Sequence, residues 1–129
     1  MYFTQIKETC LYFQDLEKAR EFYHGLLELP IISYVNGKHI FFRAGSSVLL
    51  CFNPTDSKTK KSPPGHYAQG KPHFALEVPA DKYEETKASF EQREIKIIDT
   101  LVWGSGQESF YFEDPEGNVG EVVPAGIWE

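Results

Sequence analysis

The sequence predicts an α+β protein in which one domain, residues 1–129, contains two β-α-β-β-β modules. The same order of strand-like and helix-like patterns occurs twice, about 65 residues apart, and a polar segment separates the two occurrences. We place module one at about residues 1–54, the linker at about 53–71 and module two at about 72–124. Because duplicated modules commonly pack about a pseudo-two-fold axis, we expect a curved mixed sheet that encloses a ligand cleft.

The first module begins with a strand-like pattern over residues 5–13, after which Asp15 is placed to cap a helix. Apolar residues then recur at the spacing of an amphipathic helix: Leu16, Ala19, Phe22, Tyr23, Leu26 and Leu27. The helix should end near Leu29-Pro30, and three short strands should follow at residues 31–35, 38–43 and 47–52. Asn36-Gly37 predicts a hairpin between the first two of these strands.

The second module repeats this order after residues 53–70, which are rich in Lys, Ser, Pro and Gly and predict a linker or mobile loop. A strand at residues 72–78 precedes a helix that Asp81 is placed to cap and that ends near Gln92. Three more strands are predicted at residues 95–101, 107–112 and 118–123. The last two flank the turn residues Asp-Pro-Glu-Gly-Asn, which predicts another hairpin.

The amino-acid composition indicates a folded domain and disfavours nucleic-acid and membrane partners. Apolar residues at 41% and aromatic residues at 15% predict a folded domain, and a net charge of -6 disfavours a nucleic-acid partner. No apolar run approaches the roughly 20 residues of a membrane span, so no membrane partner is expected. The two cysteines, Cys10 and Cys51, have no CxxC spacing, which suggests reduced thiols and a cytoplasmic protein.

Glu121 is unusual because it stands inside the apolar run Gly-Glu-Val-Val of a predicted strand. Burying a lone carboxylate costs roughly several kcal/mol, so a core-facing Glu121 needs a partner, a proton or a metal ion. The alternative is that Glu121 faces solvent on a sheet that is buried on one side only. The choice depends on whether partners exist at equivalent positions of the duplication.

Four metal-binding residue types occupy the positions that we take as equivalent in the two modules: Glu8, Cys51, His73 and Glu121. His73 and Glu8 open the first strands of their modules, while Glu121 and Cys51 each precede a proline by three residues. All four can bind a divalent cation. The alternatives are a solvated Glu8, a buried apolar role for Cys51 and a structural role for His73.

Three further residues are candidates for substrate contacts: His66, Trp103 and Tyr111. His66 lies in the polar segment, and a loop that closes over the cleft could bring it to the substrate as a contact or a general base. Trp103 and Tyr111 precede and occupy predicted strands, where aromatic residues more commonly form the core or the wall of a site.

Three motifs spanning nearly the whole chain carry a resemblance to a known family: LYFQDLEKAREFYHGLLELP, PPGHYAQGKPHFALEV and SFYFEDPEGNVGEVV. The chain resembles the vicinal oxygen chelate superfamily, which includes glyoxalase I, bleomycin-resistance proteins, fosfomycin-modifying enzymes and extradiol dioxygenases. The resemblance implies a glyoxalase-like fold, a homodimer and a divalent ion that chelates two neighbouring oxygens of a small-molecule substrate. By resemblance, His73 and Glu121 fall on ligand positions. Glu8 falls where most metal-binding members have His or Gln, and Cys51 where glyoxalases have Glu.

The resemblance implies two alternative functions. The first is a small metal-dependent lyase, isomerase or transferase that uses Zn, Mn, Ni or Mg, with Glu121 or Glu8 as the catalytic base. Carboxylate-rich ligation with a single imidazole suits Mn, Mg or Zn better than a redox-active iron. The second is a non-catalytic protein that binds a small ligand or drug, as bleomycin-resistance members do.

Overall fold

The computed structural model describes residues 1–129 and divides the chain into two compact units, Met1–Gly70 and Lys71–Glu129. Each unit contains one four-stranded mixed sheet and its own helices. This confirms the predicted α+β class and the two β-α-β-β-β modules. No helix is both long enough and apolar enough to cross a membrane.

The sheet of the first unit has the strand order β1-β4-β3-β2. Its strands are β1 (Glu8–Tyr12), β2 (Ile31–Val35), β3 (His39–Ala44) and β4 (Ser47–Phe52). Strand β1 is parallel to β4, and the other neighbours are antiparallel. Parallel pairing of β1 with β4 requires a long connection after β1, and the helix α1 (Leu16–Ala19 and Arg20–Leu26) provides part of it.

Helix α1 begins as an α-helix over Leu16–Ala19 and continues over Arg20–Leu26 with the wider bonds of a π-helix. The side chain of Asp15 accepts a hydrogen bond from the Glu17 amide at 3.0 Å, which confirms the predicted cap. The Leu27 amide donates to the carbonyl of Phe22, five residues earlier, at 2.9 Å. This helix buries Phe22 and Tyr23 against the sheet.

The segment that the sequence predicted to be a linker or mobile loop contains one helical turn, α2 (Pro54–Ser57). The Asn53 side chain caps it by accepting a hydrogen bond from the Thr55 amide at 2.9 Å, and proline suits the first helical position. Ser57 is buried and forms two hydrogen bonds with His66. The Ser57 hydroxyl donates to the His66 carbonyl at 2.9 Å, and the His66 amide donates to the Ser57 carbonyl at 3.1 Å.

The sheet of the second unit has the corresponding order β5-β8-β7-β6. Its elements are β5 (His73–Val78), α3 (Tyr83–Gln92), β6 (Ile97–Val102), β7 (Glu108–Glu113) and β8 (Val119–Pro124). The prediction that Asp81 caps the helix is wrong. A 3₁₀ turn, Ala80–Lys82, precedes α3 and contains Asp81, and the capping position falls on Lys82 without a side-chain hydrogen bond.

One face of each sheet packs against its helix. In the first unit this face carries buried residues such as Leu11 and Phe42, and the ring of Phe42 lies 5.7 Å from that of Tyr23. In the second unit it carries Phe110 and Phe112, which contact Phe90 of α3. Because side chains alternate along a strand, the remaining positions of each sheet lie on the opposite face. The candidate functional residues are distributed between these two faces.

Glycine is required at position 120 in β8 because the ring of Phe112 lies very close to the backbone there. It is the register partner of Phe112, and a Cβ atom added at Gly120 would lie 2.2 Å from the ring of Phe112. Phe112 is fully buried, so its ring has little room to move. Glycine at this position therefore allows the ring to lie over the backbone of β8.

We predict that Gly120→Ala lowers the free energy of unfolding by about 1–3 kcal/mol, because the added methyl group overlaps the Phe112 ring. Urea denaturation monitored by circular dichroism measures this. Gly104→Ala is the matched control, since a Cβ there meets no atom within 4 Å, and it should change stability by less than about 0.5 kcal/mol. Equal effects of the two substitutions would contradict this account of Gly120.

Candidate functional site

His73 and Glu121, two of the four predicted metal ligands, lie together in the second unit. In the parallel pair of β5 and β8, His73 is the register partner of Val119 and Ala75 is the partner of Glu121. His73 and Glu121 therefore share one face of the sheet, and His73 Nε2 lies 3.2 Å from Glu121 Oε1.

The position of the proton on His73 follows from its second ring nitrogen. His73 Nδ1 lies 3.0 Å from the carbonyl oxygen of Val119. Because a carbonyl only accepts hydrogen bonds, Nδ1 carries a proton and donates it. In the neutral imidazole, Nε2 then has an unshared electron pair that faces the carboxylate of Glu121. This is the tautomer that a metal-binding histidine adopts when its other nitrogen donates to the protein.

Glu121 is 5% exposed, so the interpretation that it faces solvent is wrong. Its Oε2 atom is buried and has no hydrogen-bond partner. A buried carboxylate oxygen without a partner is costly, and an electron pair on the facing imidazole nitrogen adds repulsion. A proton between His73 Nε2 and Glu121 Oε1 would remove the repulsion, and a cation held by the imidazole and both carboxylate oxygens would also satisfy Oε2.

The structure separates Glu8 and Cys51 from each other, although both lie in the first unit. Glu8 is exposed at the start of β1, whereas Cys51 is fully buried in β4. Cys51 is the register partner of Leu11, on the face that packs against α1. The register pairs Glu8 with Val48 as it pairs His73 with Val119, so Leu50 occupies the position equivalent to Glu121. The equivalence predicted for Cys51 is wrong by one residue.

The residues present fit a divalent ion in part. No group of three or more His, Cys, Asp or Glu side chains lies together in the structure. The imidazole and carboxylate of His73 and Glu121 form a suitable pair of donors, and the unpartnered Glu121 Oε2 is the kind of atom that a cation satisfies. Burial excludes Cys51 from an open site, while Glu8 is accessible.

Tyr111 lies beside this pair. It is the register partner of Glu121, and its ring centre lies 5.9 Å from that of His73. Burial raises the pKa of the Tyr111 hydroxyl, and the negative charge of Glu121 raises it further. Tyr111 also lines a depression of about 230 Å³, whose other lining residues are Ile98, Asp99, Leu101 and Val119. The substrate contact expected of Tyr111 stays a prediction, and the residue borders an open depression.

Trp103 uses its one polar atom within the protein. Its Nε1 donates to the buried hydroxyl of Ser109 at 3.0 Å, and its ring lies 5.7 Å from that of Trp128. This geometry fits a wall aromatic, which was the alternative interpretation of Trp103. Trp103 can therefore offer a ligand the apolar face of its ring but no hydrogen-bond donor.

His66 belongs to an aromatic cluster in the first unit, which we define as Tyr12, His39, Phe41, Phe52, His66 and Tyr67. His66 Nδ1 lies 2.7 Å from the Tyr12 hydroxyl, and its ring centre lies 4.5 Å from that of Phe52. The other members of this cluster were not predicted from the sequence. Tyr12 could have been found from the alternation of side chains along β1. Glu8, Cys10 and Tyr12 are spaced by two residues and therefore share one face of the strand.

We predict that neutral His73 carries its proton on Nδ1, which is the less favoured tautomer of a solvated histidine. Nitrogen-15 NMR of the metal-free protein at about pH 9, where ordinary histidines are neutral, measures this. His24 is an internal reference, because its Nδ1 also faces a carbonyl oxygen, that of Leu29, at 2.9 Å. A spectrum with the His73 proton on Nε2 would contradict the geometry of the pair.

Comparisons with known proteins agree with this architecture. The model of the Glyoxalase/Bleomycin resistance protein/Dioxygenase superfamily matches residues 5–122. The crystal structure of lactoylglutathione lyase from Agrobacterium tumefaciens is similar with a TM-score of 0.92 and 33% identity, covering 97% of this chain and 96% of that one. No functionally curated protein matches the chain significantly.

Two more distant structures share the fold. A glyoxalase/bleomycin resistance protein/dioxygenase from Nocardioides has a TM-score of 0.74 and 19% identity, covering 98% of this chain and 87% of that one. A glyoxalase/dioxygenase from Nostoc punctiforme has a TM-score of 0.67 and 20% identity, covering 92% and 88%. Because the family model matches nearly the whole chain and the fold is the same, the chain belongs to the Glyoxalase/Bleomycin resistance protein/Dioxygenase superfamily.

Proposed function

We propose that the protein is a metal-dependent enzyme that acts on a small molecule with two adjacent oxygen atoms. The observation that carries the proposal is the buried Glu121 Oε2 atom, which has no partner although His73 Nε2 lies beside the same carboxylate. Retaining an unsatisfied charged group in a sheet costs stability, and a cation offsets that cost only when it is bound.

His73 Nε2 and the Glu121 carboxylate are the residues that would hold the ion. Glu8 stays a predicted further ligand, whereas Cys51 is left out because it is buried on the helix-facing side of its sheet. A divalent ion in this family supplies a Lewis acid that stabilises negative charge on substrate oxygens. The imidazole and carboxylate donors are compatible with Zn, Mn, Ni or Mg.

The residues of the chain supply positioning and proton transfer. The Val119 carbonyl holds the His73 ring in its orientation, so that Nε2 points toward Glu121. The carboxylate of Glu121 has two oxygens, so we propose that one holds the ion while the other accepts the proton that the substrate loses. Tyr111 retains its proton because burial, the charge of Glu121 and a hydrogen bond with that carboxylate raise its pKa, and its ring lines the adjacent depression.

The reaction class that we propose is lyase or isomerase chemistry that starts with proton abstraction. The similarity to a lactoylglutathione lyase, at 33% identity over nearly the whole chain, supports lyase chemistry without defining this protein's substrate. The depression of about 230 Å³ beside Tyr111 supports a substrate of small size.

A second candidate function is ligand binding without catalysis. The aromatic cluster of the first unit favours it, because Tyr12, Phe41 and Phe52 are only partly buried and present ring faces on the side of the sheet away from α1. Such a surface can hold a planar molecule without a metal ion. The two functions differ in whether metal binding is required.

We also propose that the protein forms a homodimer, as the resemblance implies. Each unit ends in an edge strand with exposed apolar side chains, which on β2 are Ile31, Ile32, Tyr34 and Val35. On β6 the exposed apolar residue outside the depression beside Tyr111 is Val102. Exposed apolar edge strands are characteristic of surfaces that another chain covers, which supports a dimer.

Metal uptake tests the enzymatic proposal. Protein prepared without metal should bind about one Zn, Mn, Ni or Mg ion per chain by elemental analysis. His73→Ala and Glu121→Gln should each weaken metal affinity by at least the roughly ten- to hundredfold that loss of a supporting group costs. Cys51→Ala should leave metal affinity unchanged, and Glu8→Gln shows whether Glu8 contributes.

Oxalate, which chelates through two adjacent oxygens, separates the two candidate functions. Calorimetry should detect oxalate binding to the metal-loaded protein and none to the metal-free protein or to His73→Ala. If no metal is taken up, or if uptake does not depend on His73 and Glu121, the enzymatic proposal is wrong.

A further inference from the structure

His66 is held more firmly than an exposed loop residue requires. Its amide and carbonyl both bond to Ser57, and its ring bonds to Tyr12 at 2.7 Å. Ser57 is itself 1% exposed and fixed in α2, so the backbone of His66 is anchored to a buried residue. The imidazole is therefore oriented before any ligand arrives, which lowers the entropic cost of binding.

Tyr12 decides which nitrogen of His66 carries the proton. Burial raises the pKa of the Tyr12 hydroxyl, and the nearby Cys10 raises it further, so Tyr12 remains a phenol at neutral pH. A phenol is a better hydrogen-bond donor than acceptor, and an imidazole nitrogen accepts well. The Tyr12 hydroxyl therefore donates to Nδ1, and the proton of neutral His66 lies on Nε2. Imidazolium also carries a proton on Nε2.

The surroundings of His66 define the shape of a ligand. Its ring packs edge-on against Phe52, and the ring of Tyr12 stacks on Phe52 at 6.4 Å. Tyr67 lies 6.2 Å from Tyr12, and the ammonium of Lys58 lies 4.8 Å from the centre of the Tyr67 ring. Flat, partly buried ring surfaces are thus bordered by an N–H group and a positive charge. This combination suits a planar molecule with a negatively charged or carbonyl oxygen.

We propose that His66 donates a hydrogen bond from Nε2 to an oxygen of a planar ligand that lies against the aromatic cluster, and that Tyr12 is the positioning residue for His66. This ligand site lies within the first unit and goes beyond the proposed function, so the inference does not depend on metal binding. It assigns His66 a donor role rather than the general-base role considered from the sequence. It also specifies the ligand class as an unsaturated or aromatic molecule that carries a carboxylate, enolate or phenolic oxygen.

Benzoate is a suitable probe, because it combines a planar ring with an anionic oxygen. NMR titration of the metal-free protein with benzoate should shift the ring signals of His66, Tyr12 and Phe52. His66→Phe retains the ring and removes the donor, so it should weaken benzoate binding about five- to tenfold. Tyr12→Phe retains the stacking ring and releases the imidazole, and it should weaken binding by a smaller factor.

Two controls separate the donor from general effects on structure. His66→Gln retains a donor and should bind benzoate more tightly than His66→Phe, while His24→Gln, at another exposed histidine of the same unit, should bind it as the wild type does. Toluene has the ring without an oxygen that could accept a hydrogen bond, so His66→Phe should affect its binding little. Urea denaturation verifies that every variant is folded.

Equal benzoate affinity of the wild type and His66→Phe, or no shift of the cluster signals at saturating benzoate, would overturn this assignment. Metal uptake is measured separately in the His66 variants and should be unchanged. Benzoate binding that depends on His66, together with absent metal uptake, would sink the enzymatic proposal and leave the His66 assignment intact. Metal uptake that depends on His73 and Glu121, together with benzoate binding that does not depend on His66, would contradict only the His66 assignment.

Discussion

The burial of the Glu121 carboxylate beside His73 is the interaction on which the functional interpretation depends. Two parallel strands hold these side chains 3.2 Å apart, and a main-chain carbonyl fixes the imidazole so that its free nitrogen faces the carboxylate. Only one carboxylate oxygen meets this imidazole, and the other has no partner. A sheet optimised for stability alone would carry an apolar residue at this position, as its counterpart Leu50 does in the other unit.

The rest of each unit positions these groups through the alternation of strand side chains. One face of each sheet is used for packing against a helix, with Phe42 and Tyr23 in the first unit and Phe112 and Phe90 in the second. That packing leaves the other face for polar and aromatic side chains. Gly120 allows the Phe112 ring to lie close to β8 on the face that packs against the helix. The next residue, Glu121, points to the opposite face, where the candidate site lies.

Much of the fold could be predicted from the sequence, because helical and strand periodicities are local. The order of the strands and the Asp15 cap follow from such patterns, and Glu121 was identifiable as a carboxylate in an apolar run. The equivalence of Cys51 failed because counting back from a proline assumes equal strand ends. Pro54 begins α2, whereas Pro124 ends β8. A shift of one residue moves a side chain to the other face, so Cys51 lies in the core.

The stability of Glu121→Gln with and without metal tests the central claim most directly. An amide removes the unpaired charge and can donate to His73 Nε2, so the metal-free variant should be more stable than the wild type by about 1 kcal/mol in urea denaturation. A saturating divalent ion should stabilise the wild type and not the variant. Glu77→Gln, at an exposed position of β5, should change neither measurement. A metal-free Glu121→Gln protein that is less stable than the wild type would contradict the account.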